Sequence, residues 1–189
     1  RARERFRLTA ARLAALDPVP AVIGSFGNQR AVYTLGLQLL GQWLDMPEVR
    51  ETSDRYWREA MPCILDASGQ VVEQHGPCMH YSYTAFIYAW LNLVVRNDSS
   101  QLDRVLKCLR WFRSMHTRSL YPMAGVSTRS YRERMDHMAG DLWPAAEQVA
   151  HLDPTIRDFV ARALRRSDHP HGSLPEDVRS KYDTSRLKV

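Results

Sequence analysis

"NQRAVYTLGLQLLGQWLDMPEVRETSDRYWREAMPCIL", residues 28–65, decides the fold class. Its first half carries Val32, Tyr33, Leu35, Leu37, Leu39, Leu40, Trp43 and Leu44. That apolar set covers more than one helical face, so it predicts a mostly buried helix over 29–44. Gly36 and Gly41 lower the intrinsic propensity there and predict close helix packing. Pro47 suits the first position of a following helix, 47–65, with Val49, Tyr56, Trp57, Ala60, Ile64 and Leu65 as its apolar residues. Pro62 inside it predicts a kink or an early end.

Working outward, the same pattern recurs. Residues 80–96 form a strongly apolar helix and 99–117 an amphipathic one, with Leu102, Val105, Leu106, Leu109, Trp111 and Phe112. Residues 3–16 read as a helix carrying Phe6, Leu8, Ala11, Leu13 and Leu16. "DPVPAVIGSFGN", with two prolines and two glycines, then breaks the pattern. "DASGQ" (66–70) is a turn, and Val71-Val72 a short extended piece. Residues 118–142 read as irregular, and 144–152 and 154–165 as shorter helices opened by proline. No segment alternates with period 2. The chain is therefore expected to be all-α, made of the antiparallel hairpins 29–44/47–65 and 80–96/99–117. Two architectures fit: a compact orthogonal bundle, or part of an α/α toroid, incomplete for want of helices. A helical domain over 1–166 would be followed by a polar tail, 167–189.

Composition bounds function more loosely. The 189 residues are 44% hydrophobic and 25% charged, ordinary values for one globular domain. Mean hydropathy is −0.41, and no apolar run reaches the roughly 18 residues of a membrane span. The chain opens on Arg1 with no signal peptide, which says little about compartment. A net charge of +5 fits a merely basic surface or an anionic partner, an acidic polysaccharide or a nucleic acid. No helix-turn-helix, RNA-binding or zinc-finger signature occurs, so nucleic acid ranks last. Cys63, Cys78 and Cys108 form no CxxC pair, which favours free thiols over a disulfide framework or a zinc site. No cofactor or metal is expected. His116, His137 and His151 read as structural or surface residues.

Chemistry-bearing residues crowd "VVEQHGPCMHYSYTAF", residues 71–86. Tyr81 and Tyr83 fall on the first turn of a buried helix, where free N–H groups and the helix dipole favour anions. Asn28 holds the equivalent place on the earlier helix, after "GSFG". The bland readings are a helix N-cap for Asn28 and packed tyrosines with wet hydroxyls.

Taken together, "GSFGNQRAVYTLGLQLLGQWL" and "DASGQVVEQHGPCMHYSYTAF" resemble the toroid core of the heparinase II/III and alginate lyase type of polysaccharide lyases. In that family an Asn opens a toroid helix, and some fifty residues later comes a segment with a Glu and a His-Tyr pair. Here Asn28 and Tyr81 are 53 positions apart, with Glu73 and His80 in register. The resemblance spans roughly residues 24–96, about 40% of the chain. It implies β-elimination on a uronate polymer. A side-chain amide and a positive group hold the carboxylate, a base removes the C5 proton, and an acid protonates the departing glycosidic oxygen. A tyrosine, ordinarily near pKa 10, needs a nearby cation to act as base.

By that resemblance Asn28 would hold the carboxylate, Tyr81 would transfer the proton and His80 would assist. Gln29, Arg30, Glu73, His75, Tyr83 and Arg129 would line the substrate; Arg132 is an alternative to Arg129, on charge alone. Gln29 stands where the family often has His, and nothing here resembles the family's β-sandwich domain. The chain would then be a piece of a larger lyase-like protein or a reduced relative, periplasmic or secreted. A different reading is a non-catalytic helical module that binds acidic glycan or a protein. If Asn28 and Tyr81 share one sugar, their tips are expected within about 10 Å, at a rim shared with Tyr83 or His80. Their helices are expected to run side by side in the same direction.

Overall fold

The computed structural model describes residues 1–16, 27–71, 79–116 and 142–166. These are helical almost throughout: α1 (Ala2–Ala15), α2 (Gly27–Trp43), α3 (Pro47–Ile64), α4 (Met79–Arg96), α5 (Leu102–Ser114), α6 (Leu142–Ala150) and α7 (Pro154–Arg166). The only β pairing among the described residues outside helices is the isolated bridge between Leu65 and Val71. The irregular segment expected over 118–142 lies outside the described residues except for Leu142, which already opens α6, and the tail and Cys78 lie outside them too.

Local sequence explains the boundaries. Pro47 opens α3, and the helix continues through Pro62 before ending at Ile64. Loss of one backbone N–H in the last turn is tolerated because the helix stops two residues later. α5 begins at Leu102 rather than 99. The Asp98 carboxylate accepts from the Ser100 backbone N–H at 2.9 Å, an Asx turn that delays the helix. Asp45 and Asn97 adopt positive φ (both 53°) just beyond α2 and α4, as short polar residues can.

Most of the core gathers α2 to α7 around Trp57, Phe86, Trp90, Leu93, Leu109 and Phe112, all nearly or wholly inaccessible. Burying each such large side chain stabilises by about 1.5–3 kcal/mol. A second cluster joins α1 to α2 and α3 through Ala10, Leu37, Leu44, Met46, Val49 and Tyr56. Side chains then tie α1 to its neighbours. The Arg7 guanidinium donates to the Leu44 carbonyl at 2.7 Å, and the Tyr56 hydroxyl donates to Leu16 at 3.0 Å. Of the two glycines expected to mark close packing, Gly41 does so: a Cβ there would lie 2.6 Å from Arg50 Cγ. Gly36 does not, since a Cβ there would meet nothing within 4 Å.

A buried polar centre fixes how α2, α3 and α4 meet. Asn92 donates its amide to the Ala31 carbonyl at 2.9 Å and to Tyr88 at 2.8 Å. Its oxygen accepts from Arg96 at 2.6 Å. Arg96 also donates to the Thr34 carbonyl at 3.2 Å, to the Ser53 carbonyl at 3.3 Å and to the Ser53 hydroxyl. Its Nε lies 3.2 Å from Asp54 Oδ1, near enough to pair by charge but not aligned as a hydrogen bond. The guanidinium sits 5.6 Å from the centre of the Trp57 ring, and Trp57 Nε1 donates to Asp98 at 3.0 Å. Burial lowers the Arg96 pKa to about 10, against the pull of Asp54 and Asp98, so it remains a cation at neutral pH.

Ala31 and Thr34 meet Asn92 and Arg96, while Gln42, two turns farther along α2, reaches Val95. Hence α2 packs across the C-terminal part of α4, and the contact centres on Asn92 to Arg96.

Candidate functional site

The two helix starts singled out by sequence are well formed. Gly27 is buried, Asn28 and Arg30 are half-buried, and Gln29 is exposed on the first turn of α2. The Asn28 Oδ1 atom is shielded from solvent and has no hydrogen-bond partner. A buried unsatisfied amide oxygen is uncommon and costs about 1–3 kcal/mol unless something else satisfies it. Asn28 is the second residue of α2, inside its first turn, so it is not the N-cap of the bland reading.

On α4, Tyr81 is half-buried, Ser82 is wholly buried and Tyr83 is 4% exposed. Residues two apart on a helix point to nearly opposite sides, which is why Tyr81 and Tyr83 differ. Tyr83 was expected at the rim, and this is corrected. Its ring packs 4.9 Å from that of Phe112, and its hydroxyl lies 2.6 Å from His116 Nε2. His116 Nδ1 is 2.5 Å from the Phe112 carbonyl. A carbonyl only accepts, so the proton sits on Nδ1, and Nε2 accepts from the Tyr83 hydroxyl. Burial holds the Tyr83 pKa far above its ordinary value, which makes it a poor base. Ser82 Oγ, next to Tyr81, also lacks a partner.

Asn28 lies on the first turn of α2, three residues before Ala31, whose carbonyl accepts from Asn92 of α4. Tyr81 lies on the first turn of α4, eleven residues or about 16 Å along the helix before Asn92. His80 lies in α4 with its side chain outside the described residues; Glu73, His75, Arg129 and Arg132 also lie outside them. No group of three metal-ligating side chains is present among the described residues, and no described helix is long and apolar enough to cross a membrane.

Sequence reasoning missed the Tyr83–His116 pair. His116 is 33 positions from Tyr83, and nothing in the local pattern around it announces a buried imidazole. The pair has a measurable consequence. Burial, partly offset by the Phe112 carbonyl, depresses the folded-state pKa of His116 below 6.5. Its contribution is therefore fully present above pH 6.5 and is lost as pH falls from there through the folded value. Asp98 and Asp153 act lower. Burial alone would raise their pKa values, but hydrogen bonds, from Ser100 and Trp57 or from Thr155 and Arg110, outweigh it and hold both below 3.8. Urea unfolding at pH 7.5 and 5.5 is expected to show a smaller loss of stability in His116→Gln than in the wild type. Gln can still accept from Tyr83 but does not titrate. Identical losses would show that His116 does not titrate with folding.

A comparison with family models, curated proteins and solved structures finds no match for this chain.

Proposed function

We propose that this chain is the helical part of a polysaccharide lyase-like protein that cleaves a uronate-containing polysaccharide by β-elimination. The observation that carries the reading is the unpartnered Oδ1 atom of Asn28 on the first turn of α2, in a sequence spaced from Tyr81 as in those lyases. A substrate carboxylate would be met by the amide's Nδ2 donor, since a carboxylate only accepts. The half-buried Tyr81 is the proton-transfer candidate, because Tyr83 is committed to His116. In the reaction, the C5 proton leaves to the base and the C5 electron pair forms the C4–C5 double bond. The bond from C4 to the glycosidic oxygen breaks, and that oxygen takes a proton. α2 and α4, each followed by a further helix, are the kind of successive helical pairs from which an α/α toroid is built.

A second reading is a non-catalytic helical module for acidic glycan or protein. It is favoured by the exposed Arg1, Arg3, Arg5 and Arg12 of the first helix and its cap, which attract anions without any chemistry. Mixing the protein with a panel of uronate polymers separates the two. The lyase reading expects growing ultraviolet absorbance from unsaturated uronyl ends. Binding that weakens with salt, with no such absorbance from any polymer, would leave the second reading in its place.

A further inference from the structure

Four of the six exposed large hydrophobic side chains among the described residues lie together: Phe6 on α1 with Val32, Leu39 and Trp43 on α2, while Leu8 points away from the buried Ala10 side of α1 and Leu16 follows its end. They are 42–59% exposed, and scattered single exposures would need no account. These four are not scattered. Val32, Gly36, Leu39 and Trp43 follow a four–three–four spacing, one stripe along α2. Trp43 meets Phe6 edge to face, with ring centres 5.4 Å apart, so the stripe continues onto α1.

The stripe is shaped for a helix. Gly36 sits in its middle, and a Cβ there would meet nothing within 4 Å, whereas one on Gly41 would collide with Arg50. The glycine that faces α3 is filled; the one in the stripe is an open notch between Val32 and Leu39. The other sides of α2 are occupied. Ala31 and Thr34 face Asn92 of α4, and Leu37 lies in the cluster with α1 and α3. The notch accepts a side-chain ridge of a crossing helix.

Charge selects the occupant. Arg1, Arg3, Arg5, Arg7 and Arg12 stand against Glu4 alone on α1 and its cap. Among the described helices of a second copy none is strongly acidic: α5 and α7 are basic, α3 carries Glu48, Glu51, Asp54 and Glu59 against Arg50, Arg55 and Arg58, and α6 carries Glu147 alone. We infer that the face formed by α1 and the Val32–Gly36–Leu39–Trp43 stripe of α2 docks an acidic amphipathic helix of a partner protein. Apolar anchors of that helix would enter beside Gly36 and its carboxylates would meet the α1 arginines, the helix-in-groove mode of recognition.

The probe is a labelled synthetic helix of about 20 residues, with leucine at four–three–four spacing and glutamate elsewhere, titrated against the full chain by fluorescence anisotropy. Binding is expected to weaken with salt and to be about 10-fold or more tighter than for the same helix with lysine in place of glutamate. Gly36→Leu, which fills the notch, and Leu39→Glu are each expected to lose about 10-fold or more. Gly36→Leu replaces a poor helix former, so an unchanged or higher melting temperature shows that the loss is not unfolding. The inference is overturned by absence of binding, by equal binding of the lysine helix, or by indifference to Gly36→Leu. It is also overturned if sedimentation shows a wild-type dimer that Leu39→Glu disperses, or if the protein adsorbs to phosphatidylserine vesicles through this face while ignoring the peptide.

Discussion

Arg96→Ala is expected to lower the unfolding free energy by about 3–5 kcal/mol, read as a shift of the urea midpoint without a change of slope. The side chain is 4% exposed and joins three helices through Thr34, Ser53, Asp54 and Asn92. Truncation removes the side-chain donor to the Ser53 carbonyl, leaves the Thr34 carbonyl and the Asn92 oxygen with only the Ser53 and Thr34 hydroxyls as side-chain donors, and opens a cavity beneath Trp57. Arg96→Lys is expected to recover only part of the loss, because one ammonium cannot span partners that a planar guanidinium reaches together. Asp54→Asn is expected to cost much less, since Asp54 is 43% exposed and its ion pair is screened. An Arg96→Ala loss below about 1 kcal/mol, a surface-pair value, would mean that the centre does not organise the helices.

Gly69→Ala is expected to cost about 2–5 kcal/mol, combining a left-handed backbone with overpacking. Gly69 has φ of +84°, and a Cβ there would lie 2.4 Å from Cys108 N and from the Lys107 carbonyl carbon. Those are backbone atoms of α5, so no side chain can swing aside. The turn itself is held by Asp66, whose carboxylate accepts from the Ser68 and Gln70 backbone N–H groups at 2.8 and 3.0 Å. The α3–α4 connection is thereby pressed onto α5. Gly36→Ala is the control: with open space around it and ordinary helical backbone, it is expected to be neutral or stabilising. Equal effects at the two glycines would refute the packing described here.

The all-α class and the two hairpins were legible because their apolar periodicity is long and proline or glycine punctuates it. The helix bounds followed to within a few residues. The missing parts are those that depend on residues distant in the chain. Asn92 reads in sequence only as an interruption of an apolar run, yet it is the hinge of the α2–α4 contact. Gly36 and Gly41 look alike in sequence, and only the packing of Arg50 separates them. Tyr83 shares a helix turn with Tyr81 but turns inward, because α5 brings Phe112 and His116 beneath it. Asn28 and Tyr81 each lie on the first turn of a helix, but α2 meets α4 at Asn92, eleven residues beyond Tyr81. What surrounds Glu73, His75 and Arg129 depends on segments outside the described residues.

The central claim is that Tyr81 transfers a proton in a uronate elimination. Its most direct measurement is the rate at which unsaturated ends appear with wild type and with Tyr81→Phe, at equal protein and with matching circular dichroism. The account predicts measurable turnover by the wild type on at least one uronate polymer and a loss of about 10²–10⁴-fold in the variant, the usual worth of a general acid or base. Equal rates in the two proteins, or no elimination by the wild type on any uronate polymer, would contradict it.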